Sequence, residues 1–184
     1  MLFRSNCILS FYTDDTYFAN VLMDADKVFG RVLNLGIRTA ITPDYSTWLD
    51  DEPVAWLRSI VDSRLVGRYM QEVGMGVIPC IEWPGEDDDW FLREIVLPTL
   101  PQGCLISLQA QTGSVKDMDS RRQEARDYET IVDMLKPDGI LFYGSKSNYE
   151  FFKNLNLPTK SVFSEHRIQV LHERDKKERV PNTV

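Results

Sequence analysis

Histidine and cysteine are scarce in this 184-residue sequence, with two of the first and three of the second. There is no Cys-x-x-Cys pair and no clustered histidine, which excludes the common zinc-binding and disulfide-scaffold patterns. Cys7, Cys80 and Cys104 each lie in an apolar run and are expected as buried, reduced thiols. No apolar run approaches the roughly 18 residues that a membrane-spanning helix needs. The first residues, Met1-Leu2-Phe3-Arg4-Ser5-Asn6, lack the pattern of a signal peptide, so a cytoplasmic location is expected. Positive charge is also in deficit: 21 Lys and Arg stand against 28 Asp and Glu, for a net charge of −7. That balance disfavours a protein that coats nucleic acid. The phosphate-binding loop Gly-x-x-x-x-Gly-Lys-Ser/Thr, the dinucleotide fingerprint and the Gly-x-Ser-x-Gly elbow are all missing. Gly74-Met75-Gly76 precedes a predicted strand, not a helix, and is no substitute for them.

The sequence instead carries a repeated grammar of amphipathic helix, short apolar run and polar stop. Apolar runs predict strands at residues 6–13, 37–42, 76–83, 103–109, 140–143 and 159–163. Between them, helical periodicity predicts helices over 16–35, 53–73, 119–135 and 148–155, with a shorter one over about 86–97 that opens on Glu86-Asp87-Asp88-Asp89. Asp14 or Asp15 suits the N-cap of the first helix, and Gly36 and Gly74 suit the left-handed residue after a helix end. Pro53 fits the first turn of the second helix. Val54, Leu57, Ile60, Val61, Leu65, Tyr69 and Val73 are expected to form its inner face, and Ala125, Tyr128, Ile131, Val132 and Leu135 that of the 119–135 helix.

About six such β-α units imply an α/β fold with a mainly parallel sheet joined by right-handed crossovers. A complete eight-unit barrel typically needs about 250 residues. Two arrangements stay open, a doubly wound sheet and a partial, barrel-like one. Residues 1–171 are expected to form one α/β domain, and 172–184 a charged tail.

In parallel α/β folds ligands bind at the carboxyl ends of the strands. Here those ends carry Asp14; Asp44, Tyr45 and Ser46; Glu82 and Trp83; Gln109, Gln111 and Thr112; Lys146; and His166. Asp14, Asp44 and Glu82 are the candidate catalytic carboxylates, able to hold Mg²⁺ or Mn²⁺ through oxygen or to share general acid and base roles. Asp14 fits a helix cap equally well, and Asp44 or Ser46 a turn. Tyr45, Ser46, Trp83, Gln109 and Lys146 are candidate substrate contacts. Arg64 and Arg68, four apart on one helix face, suit an anionic group, or an ion pair with Asp62 or Glu72.

Phe11-x-x-Asp14, Pro43-Asp44-Tyr45-Ser46, Arg64-x-x-x-Arg68-Tyr69-x-Gln71, Gly74 with Val77-Ile78-Pro79 and Trp83, and Leu135-Lys136-Pro137 leading to Tyr143-Gly144 together resemble an uncharacterised bacterial family. It is a domain of unknown function met in phages, plasmids and other mobile elements. The resemblance spans residues 11–144 and implies a mobile-element setting without implying an activity, cofactor or catalytic residue. Two functional expectations follow from the residues. One is an enzyme with an acidic, divalent-metal pocket that hydrolyses a polar or nucleotide-like small molecule. The other is a non-catalytic module that docks a host or phage protein through exposed Trp48, Trp83 or Trp90.

Overall fold

A computed structural model describes residues 7–85, 89–110 and 118–165. Its strands are β1 (Ile8–Leu9), β2 (Thr39–Ile41), β3 (Gly76–Ile78), β4 (Cys80–Ile81), β5 (Leu105–Gln109), β6 (Gly139–Gly144) and β7 (Ser161–Glu165). Its helices are α1 (Ala25–Asn34), α2 (Pro53–Glu72), α3 (Met118–Leu135) and α4 (Lys146–Asn154). Every paired strand is parallel, in the orders β1-β2-β3 and β4-β5-β6-β7.

All six predicted strand regions are present, with the third divided at Pro79. Proline offers no N–H to a ladder, so a strand that contains it loses pairing on that side. The Thr42 amide donates to the Ile78 carbonyl at 3.0 Å, and the Ser107 amide donates to the Pro79 carbonyl at 2.8 Å. The chain thus changes partner at the proline, from β2 to β5. The strand order follows the chain order without reversal, which is the barrel-like alternative and not the doubly wound one. Tyr12, just after β1, stacks on Tyr143 of β6 at 4.3 Å between ring centroids. Strands lie about 4.8 Å apart, so this contact across several strands requires a strongly curled surface. Among the described residues β1 and β7 do not pair, and the barrel is not closed.

Alternation along the strands separates two faces. Ala40, Ile81, Ile106, Leu108, Ile140 and Phe142 pack with buried helical residues such as Phe29, Ile60, Tyr128 and Phe152. Ile41, Ile78 and Cys80 point the other way and meet Tyr12 and Leu141.

Gly36 and Gly74 both have φ +82° directly after α1 and α2, as the sequence predicts. The first helix begins later than predicted. Asp14 caps a 3₁₀ turn, Asp15–Tyr17, and regular α-helix starts only at Ala25. The 89–97 segment is a π-helical turn, Leu92–Val96, followed by a 3₁₀ turn, Leu97–Thr99. Residues 86–88 lie outside the described residues, as do 166–184 with the predicted tail.

The inner face of α2 also needs correction. Val54, Leu57, Val61 and Leu65 are exposed, while Trp56, Ile60, Ser63, Val66, Gly67 and Met70 are buried. The reason is proximity of the sheet: a Cβ on Gly67 would lie 2.8 Å from Thr42 Cγ2. Small residues meet the strands there; of the predicted face, Ile60 is buried and Tyr69 and Val73 pack half-buried on the core, while the other four face outward. On α3, Tyr128, Ile131, Val132 and Leu135 are buried as expected. Of the three cysteines, only Cys80 is fully buried; Cys7 is exposed and Cys104 half-buried. Among the described residues no helix is long and apolar enough to cross a membrane.

Candidate functional site

Cys80 and Glu82 are two residues apart on extended chain and so project to the same side. Asp44 and Glu82 follow the carboxyl ends of β2 and β4, Gln109 is the last residue of β5, and Cys80 opens the two-residue β4 beside them. The Cys80 thiol donates to Asp44 Oδ1 at 3.7 Å. One ligand atom from each of Asp44, Cys80 and Glu82 lies within 4.8 Å of the others.

Glu82 is only 4% exposed. Its Oε1 is 3.1 Å from the Ser63 hydroxyl, and its Oε2 has no hydrogen-bond partner among the described residues. Ser63 has one proton to give, and its shortest contact is with the Pro43 carbonyl at 2.8 Å. The Glu82 carboxyl is therefore poorly satisfied, a costly state for a buried charge. Burial raises its pKa well above the ordinary range; Arg64 opposes the rise and Asp44 adds to it. Burial likewise pushes Asp44 up to about 7, against the thiol hydrogen bond from Cys80 and with a further push from Asp15. The Cys80 thiol is raised by burial and then by both carboxylates. Tyr12, hydrogen-bonded to Ser107 and 3.5 Å from the Cys80 sulfur, is raised by burial as well.

A cavity of about 260 Å³ adjoins these groups, lined by Asp44, Tyr45, Ser46, Trp48, Glu82, Trp83 and Gln109 among others. Gln109 Oε1 is a second buried acceptor without a partner among the described residues. Two unpartnered acceptors and two acids with raised pKa values thus belong to residues around one small space. Such a place is satisfied by protons or by a cation.

The remaining candidates take different positions. Asp14 is exposed; its Oδ1 accepts from the Thr16 amide at 2.9 Å and the Thr16 hydroxyl at 2.6 Å, which lowers its pKa. It lies outside the Asp44–Cys80–Glu82 group. The Ser46 amide donates to Asp15 Oδ2 at 3.0 Å. Tyr45 packs on Phe18, and burial raises its pKa to about 12. Lys146 is exposed at the start of α4 and does not line the cavity. Arg64 donates from Nη1 to the Cys80 carbonyl and from Nε to Thr99 Oγ1, both at 3.1 Å. Arg68 pairs with Glu72 at 3.0 Å on the surface. Gln111, Thr112 and His166 lie outside the described residues.

Trp83 is a correction to the docking expectation. It is 3% exposed, and its indole N–H donates to Asp127 Oδ2 at 2.8 Å. Asp127 also accepts from Gln123 Nε2 at 2.8 Å, and burial raises its pKa to about 6. Trp48 and Trp90 are exposed, as expected. Sequence reasoning missed Cys80 as a site residue, although its two-residue spacing from Glu82 on a strand was a usable signal. Ser63 and Asp127 gave none, because their partners lie 19 and 44 residues away.

These features define a curled parallel α/β fold in which half-buried Asp44 and buried Cys80 and Glu82 are grouped at the rim of the sheet, beside a cavity that the two carboxylates line. The chain belongs to the domain of unknown function DUF4417, which matches residues 3–160. It is similar to the Gene 1 protein of Mycobacterium phage L5, at 28% identity over 138 residues, covering 74% of this chain and 56% of that one. It is similar also to the Gene 1 protein of Mycobacterium phage D29, at 27% identity over 150 residues, covering 82% and 52%. The chain thus spans about half the length of these curated relatives. No solved structure matches it.

Proposed function

We propose that this chain is a cytoplasmic, divalent-cation-dependent protein of a mobile element. Its cation sits among Asp44, Cys80 and Glu82 and serves hydrolysis of a polar or nucleotide-like small molecule in the adjoining cavity. The observation that carries the reading is the approach of three potential ligand atoms to within 4.8 Å, one of them from a carboxylate whose Oε2 is buried and unpartnered. A thiol beside two carboxylates shifts the preference from Mg²⁺ and Mn²⁺ toward Zn²⁺. A cation there would supply charge stabilisation and an acidified water. Without the cation, burial pushes Asp44 up to about 7, so cation binding near neutral pH would release its proton. Ser46, Trp48 and Gln109 line the cavity where a substrate would be oriented.

The test is thermal unfolding of chelator-treated protein with Mg²⁺, Mn²⁺ and Zn²⁺, repeated for Glu82→Gln. Stabilisation of about 2.7 kcal/mol at a hundredfold excess over the dissociation constant is expected, and its loss in the variant. Absence of a shift with every ion removes the cation from the reading. A panel of phosphoesters and nucleotides, assayed with the stabilising ion, then tests for turnover.

A second reading, a non-catalytic module that docks a host or phage protein, is favoured by Trp48, which is 61% exposed at the cavity mouth. It predicts that Trp48→Ala abolishes capture of the partner while Glu82→Gln leaves it intact.

A further inference from the structure

We propose that the crevice between α2 and the segment leading into β5 binds a phosphomonoester through Arg64, Arg68 and Gln71. A second cavity, of about 340 Å³, opens there, and its lining contains no carboxylate. The Arg64 guanidinium is fixed by two of its nitrogens, Nε on Thr99 Oγ1 and Nη1 on the Cys80 carbonyl, each at 3.1 Å. Its Nη2 is buried and has no partner among the described residues. A held guanidinium with a spare buried donor beside a cavity is preorganised for an oxyanion, because it gives up little freedom on binding.

Arg68 lies one turn further along α2 and lines the same space. Its ion pair with Glu72 joins two largely exposed side chains. Exposed pairs contribute only about 0–1 kcal/mol, so an incoming dianion competes for it. Gly67, between the arginines, places no side chain in the crevice, and Gln71 adds an amide donor one turn beyond Arg68. Val77, Pro79 and Leu100 give the wall an apolar side, which suits the organic part of an ester and offers nothing to bare phosphate. Among the described residues the two cavities share no lining residue, and Arg64 stands between them, with its Nη1 3.4 Å from the Ser63 hydroxyl that contacts Glu82. The Cys80 thiol faces Asp44, while its carbonyl faces Arg64.

The experiment is calorimetry on the full chain, stripped of metal by chelating resin, with glycerol phosphate, inorganic phosphate and acetate at one ionic strength. Removing metal makes the outcome independent of the cation proposal. Glycerol phosphate is expected to bind more tightly than inorganic phosphate, and acetate not at all. Arg64→Lys, which keeps the charge but loses the fork, and Gln71→Ala are each expected to weaken binding by about tenfold or more, and Gln71→Ala, on the exposed surface of α2, is expected to keep its unfolding temperature. If Arg64→Lys does not fold, Arg68→Ala and Gln71→Ala decide. Cys104, half-buried in the same lining, supplies the location: the ester should slow its alkylation and leave that of exposed Cys7 unchanged. No heat from the ester, equal binding of acetate, tighter binding of inorganic phosphate, or unchanged affinity in the variants would each overturn the proposal.

Discussion

The Cys80 thiol donates to Asp44 Oδ1 at 3.7 Å across 36 residues of chain, and each group acts on the other's acidity. The hydrogen bond lowers the Asp44 pKa, and the Asp44 charge raises that of the thiol. Neither ionises easily while both stay in this setting. A cation between them would remove the conflict, because it would favour the deprotonated form of every ligand at once.

Cys80→Ser therefore separates the metals. The hydroxyl keeps a small polar group in place but loses the soft donor, so Zn²⁺ affinity is expected to fall much more than Mg²⁺ or Mn²⁺ affinity. Competition against a coloured chelator measures each. Equal losses for all three ions would show that the sulfur is not a ligand.

Stability without metal should depend on pH through Asp44. Its pKa rises from 3.8 in the unfolded chain to about 7 in the fold, so the native state binds the extra proton between those values. Its contribution is full below about pH 4 and is lost as pH rises through 7. Metal-free protein is expected to lose stability on the order of a few kcal/mol from pH 4 to 8. Asp127, raised to about 6, acts with the same sign. Urea titrations of wild type and Asp44→Asn across this range isolate the Asp44 share, which the variant should lack.

The Trp83–Asp127 contact is structural in its immediate effect and positions the cavity wall. Asp127→Ala removes the buried carboxylate that accepts from both the Trp83 indole N–H and the Gln123 amide. Losing one partner of a buried hydrogen bond costs about 1–3 kcal/mol, and a fall in the urea midpoint reads this directly. Fluorescence of Trp83 in a variant with the other tryptophans changed to phenylalanine should report its new environment. An unaltered midpoint would mean that the bond contributes nothing.

The two faces of α2 give a sharp contrast between neighbouring residues. Ile60 is 1% exposed and Val61 43%. Ile60→Ala is expected to cost about 2–5 kcal/mol by leaving a cavity. Val61→Ala is expected to stay within about 0.5 kcal/mol of wild type. Comparable losses would place Val61 in a buried contact.

Much of the architecture is legible in the sequence because it depends on local chemistry. Apolar runs mark the strands, Gly36 and Gly74 mark helix ends, and Pro53 opens α2 where the chain needs no N–H donor. Asp44, Glu82 and Gln109 stand out because polar residues that end apolar strands of a parallel sheet fall on one rim. The orientation of α2 is not legible. Periodicity tells which residues share a stripe, but close contact with Thr42 selects the stripe containing Ser63 and Gly67 over the more hydrophobic one.

By itself, then, the sequence determined an α/β chain with parallel strands and acidic groups at their carboxyl ends, since these follow from spacing along the chain. Only the tertiary structure decided that Asp44 meets Cys80 and Glu82, that Asp14 caps a turn away from them, and that Trp83 is buried on Asp127. Those outcomes depend on the order and curl of the strands and on the partner change at Pro79. They bring together side chains from distant parts of the chain, and no local pattern encodes that distance.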